Sequence, residues 1–307
     1  MRKSLVLLLI SFAIVIQGNA QKTVKEWAEM DHKKFHKKMQ YGSGIGHIKR
    51  LVKSPEELPD IKKIGLISFA MIQPTYSEKS TYSVITPYLT EKGSQFFVDI
   101  LYDEAYPALK SKLAEQNITL LTPSEYNDSE EKKRKYKDVV FEVSGMFKFV
   151  EKMTKRISGN SMDVKGTPEG LKYIAVANAD AKVWRAVGKF AGELDLDAVL
   201  IVETTLGYDG KSLYLQKITS SIIGPNTVPY RESDKNYYAP FGPLKGYLEG
   251  INYGFADTYP PKGVILLAKL KKGSVKESYF EGSGEVYARV VEEILNRMNE
   301  DIAKVKK

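Results

Sequence analysis

The stretch AGELDLDAVLIVET, Ala191–Thr204, decides the fold. Its first residues close a helix running to about Glu193, in which Val183, Trp184, Val187, Phe190 and Ala191 form one apolar side. Asn178 or Asp180 supplies the cap at its start. Asp195 to Asp197 carries turn chemistry and leads into Ala198 to Glu203, which reads as a central strand. After the turn signal Tyr208-Asp209-Gly210, Leu213 to Ile223 reads as an antiparallel neighbour. A helix feeding a strand that is followed directly by another strand predicts a mixed sheet with helices layered on it.

Working outward, the rest of the chain supports an α/β class with a layered mixed sheet. Ile64 to Ala70 is a short apolar run of the buried-strand kind, and Thr81 to Tyr88 is a second β-prone stretch. Phe97, Ile100, Leu101, Ala105, Leu109 and Leu113 recur at helical spacings, with Pro107 predicting a kink or two abutting helices. Ile118 to Leu121 is a short strand. Residues 127–137 are a charged run that reads as a solvated face or loop. Val139 to Ile157 has a helical pattern, and Gly159 to Gly170 has the composition of a linker. Residues 224–261, rich in Tyr, Gly and Pro, read as a long irregular loop, and Gly263 to Leu270 as a further strand. An amphipathic helix from about Gly284 to Val305 closes the chain, with Val286, Val290, Ile294, Met298 and Ile302 four apart.

The organisation predicted is a leader at 1–20, a helical arm at 21–60 and a single α/β domain at 61–307. Arg2 and Lys3 precede a nearly unbroken apolar run from Leu5 to Ile16, and Gly18 and Ala20 put small residues before a cleavage point between Ala20 and Gln21. That is the pattern of a secretory signal peptide. The apolar run is 12 residues, whereas a membrane-spanning helix needs about 20. No later stretch is apolar for long enough to span a bilayer as a helix. In the arm, residues 23–39 read as one helix, opened by a Thr23–Glu26 capping box and carrying Trp27, Met30 and Phe35.

The chain has no cysteine, which excludes disulfides, thiolate catalysis, cysteine-ligated clusters and a lipid anchor on an N-terminal cysteine. Its formal charge is +8, or +6 once Arg2 and Lys3 leave with the leader. A basic exported protein meets anionic lipids, polyanionic glycans or cell-wall material, or simply carries a lysine-rich solvated surface. No nucleic-acid partner is expected.

Three stretches carry a resemblance: KKIGLISFA at Lys62–Ala70, LAEQNITLLTPSEY at Leu113–Tyr126, and AGELDLDAVLIVET at Ala191–Thr204. Their order is similar to the N-terminal domain of TolB and to the periplasmic domain of the curli secretion channel CsgG, and related small envelope lipoproteins share it. The resemblance covers about half the chain after the leader and implies a non-enzymatic part of an envelope assembly. The lipoprotein cysteine and the alternating hairpins of a membrane barrel are both missing from the sequence.

The candidate chemistry is sparse. His32 and His36 stand four apart on one helical face, the spacing of a two-histidine metal pair. Lys33 follows His32, so the metalloprotease motif is missing, and Lys33, Lys34, Lys37 and Lys38 favour a solvated basic helix; the reading assigns no metal and no cofactor. His47 is the third histidine. Gly42 to Gly46, GSGIG, puts serine one place early for a nucleophile elbow, and Ser129 to Lys132 matches S-x-x-K without companion motifs. Asp195 and Asp197 read as turn residues and Glu203 as a solvent-facing strand end, although all three are candidates for carboxylate catalysis. Tyr237, Tyr238, Phe241, Tyr247, Tyr253 and Tyr259 form a candidate partner- or ligand-binding surface on the long loop.

The expectation is a soluble, periplasmic or secreted, non-catalytic envelope interaction or assembly module whose partner is an envelope protein or glycan. A glycan-acting hydrolase using strand-end carboxylates and the tyrosine stretch is the alternative, and a small-molecule carrier is another.

Overall fold

The computed structural model of the chain describes residues 22–41, 52–74, 91–141, 162–174, 181–208, 212–228, 250–260, 265–269 and 277–306. In chain order its helices are α1 (Val24–Ala28), α2 (His32–Lys38), α3 (Glu91–Ala114), α4 (Pro123–Tyr126), α5 (Glu130–Asp138), α6 (Ala181–Glu193) and α7 (Ser283–Val305). Its strands are β1 (Gln40–Tyr41), β2 (Lys63–Pro74), β3 (Thr119–Leu121), β4 (Met162–Gly166), β5 (Ala198–Tyr208), β6 (Ser212–Pro225), β7 (Gly250–Tyr259) and β8 (Ile265–Lys269).

The centre of the sheet is a parallel pair. β2 runs beside β5 from Ile64 opposite Ala198 to Ile72 opposite Thr205. Both carry apolar side chains on both faces, as strands covered on both sides do, with Glu203, Thr204 and Thr205 as buried polar residues of β5. On the outer edge of β2, β3 pairs in parallel with its start and β4 antiparallel with its end. On the far side of β5 the sheet continues antiparallel through β6, β7 and the two residues of β1, while β8 pairs with the start of β6. The result is the mixed α/β sheet that the sequence predicts.

A register shift between Leu66 and Ser68 decides which side chains face which layer. In strict alternation Phe69 and Met71 would point away from Ile64 and Leu66. The bulge moves the pattern by one, so all four enter one core and Ile67 enters the other. The same device operates in β6, where Leu213 and Leu215 share a core with Ile218 and Ile222 across a shift in pairing with β5.

Helices cover both faces. α3 and α7 lie on one face with α1 and α2, burying Phe97, Leu101, Leu109, Val290, Ile294 and Trp27 among the central strands. α6 covers the other face with Val183, Val187 and Phe190, joined by Tyr126 of α4. Each such fully buried side chain contributes on the order of 1.5–3 kcal/mol of transfer free energy. α5 is exposed and highly charged, as a solvated face should be.

Several expectations need correction. α3 runs unbroken through Pro107, which sits on its exposed side, so the helix is one element and not two. The predicted helix at 23–39 is two short helices, because Asp31 caps a new one by accepting a hydrogen bond from the Lys34 amide. That segment is not peripheral: Trp27, Met30, Phe35 and Met39 are buried in the main core. Part of the supposed linker, Met162–Gly166, is strand β4. Residues 250–259, read as irregular, form strand β7. The glycines that suggested a loop mark close packing there: a Cβ on Gly254 would lie 2.6 Å from Ile294 Cγ2. Val139 to Phe141 are not helical; the rest of the helix read at Val139–Ile157, like the strand read at Thr81–Tyr88, lies outside the described residues.

A close backbone approach joins α6 to the antiparallel wing. A Cβ on Gly188 would stand 2.3 Å from Gly250 Cα and 2.4 Å from the Gly224 carbonyl oxygen, both backbone atoms. One turn later, a Cβ on Gly192 would meet only Pro225 Cγ at 3.4 Å, an ordinary contact. Gly188→Ala is therefore expected to destabilise by roughly 1–3 kcal/mol through overpacking, while Gly192→Ala changes stability little or raises it. Urea denaturation of the two variants side by side checks this pair.

Candidate functional site

Among the described residues, the aromatic and acidic candidates singled out by sequence do not form one site. Tyr237, Tyr238, Phe241 and Tyr247 lie outside the described residues. Tyr253 is a core residue of β7: its ring is buried, and its hydroxyl donates to the Pro225 carbonyl. Tyr259, at the end of the same strand, is 38% exposed and sits opposite Gln40. Tyr253 is thus held in the strand and packed in the core, not displayed on a loop.

The acids have structural partners. Asp197 accepts hydrogen bonds from the backbone N–H groups of Lys62 and Lys63 at 2.9 and 2.7 Å, which ties the start of β5 to the start of β2. Asp195 adopts a left-handed backbone (φ 58°) and pairs with Lys132 at 2.8 Å, and that bond holds its carboxyl below the usual carboxylate range. Glu203 is buried within β5 instead of facing solvent, a correction to its reading as a strand-end acid. Ser129 caps α5 by accepting from the Lys132 amide at 3.2 Å, so the S-x-x-K match is helix-capping geometry.

A different constellation forms where α2 meets α7. One turn of α2 sets His32 and His36 on the same face, and Glu292 of α7 lies against them. His32 Nε2 is 3.0 Å from Glu292 Oε2 and 3.2 Å from His36 Nε2. All three ligand-type atoms fall within 4.8 Å of one another. The His32 side chain is 51% exposed, whereas His36 and Glu292 are 15% and 16% exposed, so the cluster is packed beneath and open above.

The surroundings hold these groups in place. His36 Nδ1 lies 2.6 Å from the Tyr41 hydroxyl, which burial keeps protonated by raising its pKa. Burial likewise outweighs the pull of Glu293 and lowers the pKa of His36, leaving a neutral ring. Burial alone would raise the pKa of Glu292, but the hydrogen bond from His32 and the charge of Lys112 overcome it and keep a carboxylate. Lys112 Nζ stands 3.6 Å from the second oxygen, Oε1. Nearby Arg289 and Arg297 are each bonded to a glutamate of their own helix, Glu285 and Glu293. With Nδ1 of His36 taken up by the Tyr41 hydroxyl, Nε2 is the ring nitrogen turned toward His32.

Sequence reading finds the histidine pair but not Glu292, which is 260 residues from His32. The adjacent acids Glu292 and Glu293 on the amphipathic terminal helix are the only trace of it in the sequence.

No described protein family matches the chain, and no solved structure does. Part of the chain is similar to the 1,4-alpha-glucan branching enzyme GlgB of Geobacillus stearothermophilus, with 27% identity over 112 residues. The match covers 36% of this chain and 18% of that enzyme.

If Asp197 is a structural clamp, Asp197→Ala leaves two backbone donors without their acceptor and costs about 1–3 kcal/mol. Asp195→Asn, which keeps a side chain suited to the left-handed backbone and loses only an exposed ion pair, is expected to leave the denaturation midpoint nearly unchanged. Equilibrium unfolding of both variants measures the difference.

Proposed function

We propose that this chain is an exported, non-catalytic interaction module of the cell envelope, acting in the periplasm or beyond it. The observation that carries the reading is the leader pattern at residues 1–20, which fits export and cleavage before Gln21. The structural bonds of Asp195 and Asp197 support the non-catalytic part, since a hydrolase needs carboxyl groups free to meet substrate. The partner is an envelope protein or glycan. The aromatic residues Tyr237, Tyr238, Phe241 and Tyr247 supply apolar area with polar handles for that contact. The segment shared with the branching enzyme amounts to under a fifth of that enzyme, and its activity is not carried over.

Expression in a bacterial host with two membranes, followed by fractionation and mass spectrometry of the N-terminus, tests the export claim. The expected product begins at Gln21 and is recovered from the periplasm or medium. A cytoplasmic chain retaining residues 1–20 overturns export. Release of sugar from peptidoglycan or an α-glucan by the purified protein overturns the non-catalytic assignment.

A further inference from the structure

We propose that His32, His36 and Glu292 form a binding site for one divalent transition-metal ion of the zinc class, clipping the N-terminal helices to the terminal helix α7. The inference is independent of the envelope reading.

The geometry comes first. Zinc ligands at about 2.0–2.1 Å in a tetrahedral arrangement stand roughly 3.3 Å from one another, and at right angles about 2.9 Å. The separations of 3.0 and 3.2 Å at His32 Nε2 lie between these values. The lone pairs come next. The atoms His32 Nε2, His36 Nε2 and Glu292 Oε2 converge, and a proton on His32 Nε2 can be aimed well at only one of its two neighbours. A cation placed among the three takes a lone pair from each. Two imidazoles with one carboxylate is a borderline donor set that suits zinc and its neighbours and not magnesium or calcium, which want oxygen.

The supports around the cluster are those a metal site requires. Tyr41 fixes the ring of His36 through Nδ1, leaving Nε2 toward the centre, and Lys112 holds the outer oxygen of Glu292. His32 supplies the open side through which an ion and a water ligand enter. Of the lysines of α2 that argue against a cation in the sequence, Lys33, Lys34 and Lys37 are exposed and Lys38 is half-buried, while the cluster lies on the face turned to α7. The glutamates Glu285, Glu292 and Glu293 offset Arg289, Arg297 and Lys112 at the contact. The ligands come from opposite ends of the chain, so a bound ion closes a very long loop and favours the folded state by binding it alone.

The test is titration of the chelator-stripped protein with zinc, followed calorimetrically and by thermal unfolding. One equivalent is expected to bind saturably and to raise the melting temperature. His32→Ala, at a half-exposed position where folding is not at stake, abolishes both effects, and Glu292→Gln weakens binding at least tenfold. Tyr41→Phe weakens it by about 10–100-fold, the usual effect of losing a group that orients a ligand. Far-UV circular dichroism of each variant separates lost binding from lost fold, and if His36→Ala does not fold, His32→Ala decides. Absence of saturable binding overturns the proposal. So does stoichiometric binding that survives His32→Ala and Glu292→Gln, which would place the ion elsewhere.

Discussion

Lys63–Pro74 and Ala198–Tyr208 come from distant parts of the chain and lie side by side for most of their length. Each carries apolar side chains on both faces, so neither is stable until helices cover both. That requirement organises the molecule. α3 and α7 settle on one face and α6 on the other, and the loops between them put Asp197 where it clamps the two strand starts together. The bulge at Leu66–Ser68 then divides the apolar side chains between the two cores.

Buried polar contacts refine this arrangement. Thr204 of β5 and Tyr287 of α7 share a hydrogen bond of 2.7 Å inside the main core, and Asn252 of β7 donates to Ser221 of β6 at 3.1 Å. Both bonds are sensitive to position, because a polar group left alone in such a place costs more than the bond gains. They fix how α7 and β7 sit on the sheet, where nonspecific burial would allow sliding.

The parts of the fold legible in the sequence are those set by local pattern. The helix, turn and strand of Ala191–Thr204 are written in periodicity and turn chemistry, as is the stripe of α7. What sequence reading misses is set by tertiary contact. β7 looks like a loop because Gly250 and Gly254 weaken strand propensity, yet each is where a helix approaches too closely for a side chain. β4 carries little signal of its own and is held by the edge of β2. The same holds for the site: the spacing of His32 and His36 is local and readable, whereas the carboxylate facing them is fixed by how α7 docks. Tyr253 is buried for the converse reason, since it belongs to a strand that helices cover and not to a loop.

The docking of the first helices on the last has a consequence for how the chain is made. Trp27 and Phe35 share a core with α7, Arg289 donates to the Met30 carbonyl at 2.6 Å, and Lys25 reaches Glu281. None of these contacts can form before the chain has been made to Glu281, and all but that of Lys25 need Ser283–Val305. The N-terminal helices, five and seven residues long, are too short to hold their shape alone. The growing chain therefore lacks a complete core through most of its synthesis, and topology of such high contact order folds slowly. On the proposed export route, in which a chain is threaded unfolded through a narrow channel, this lateness keeps the polypeptide pliable until its last helix has emerged.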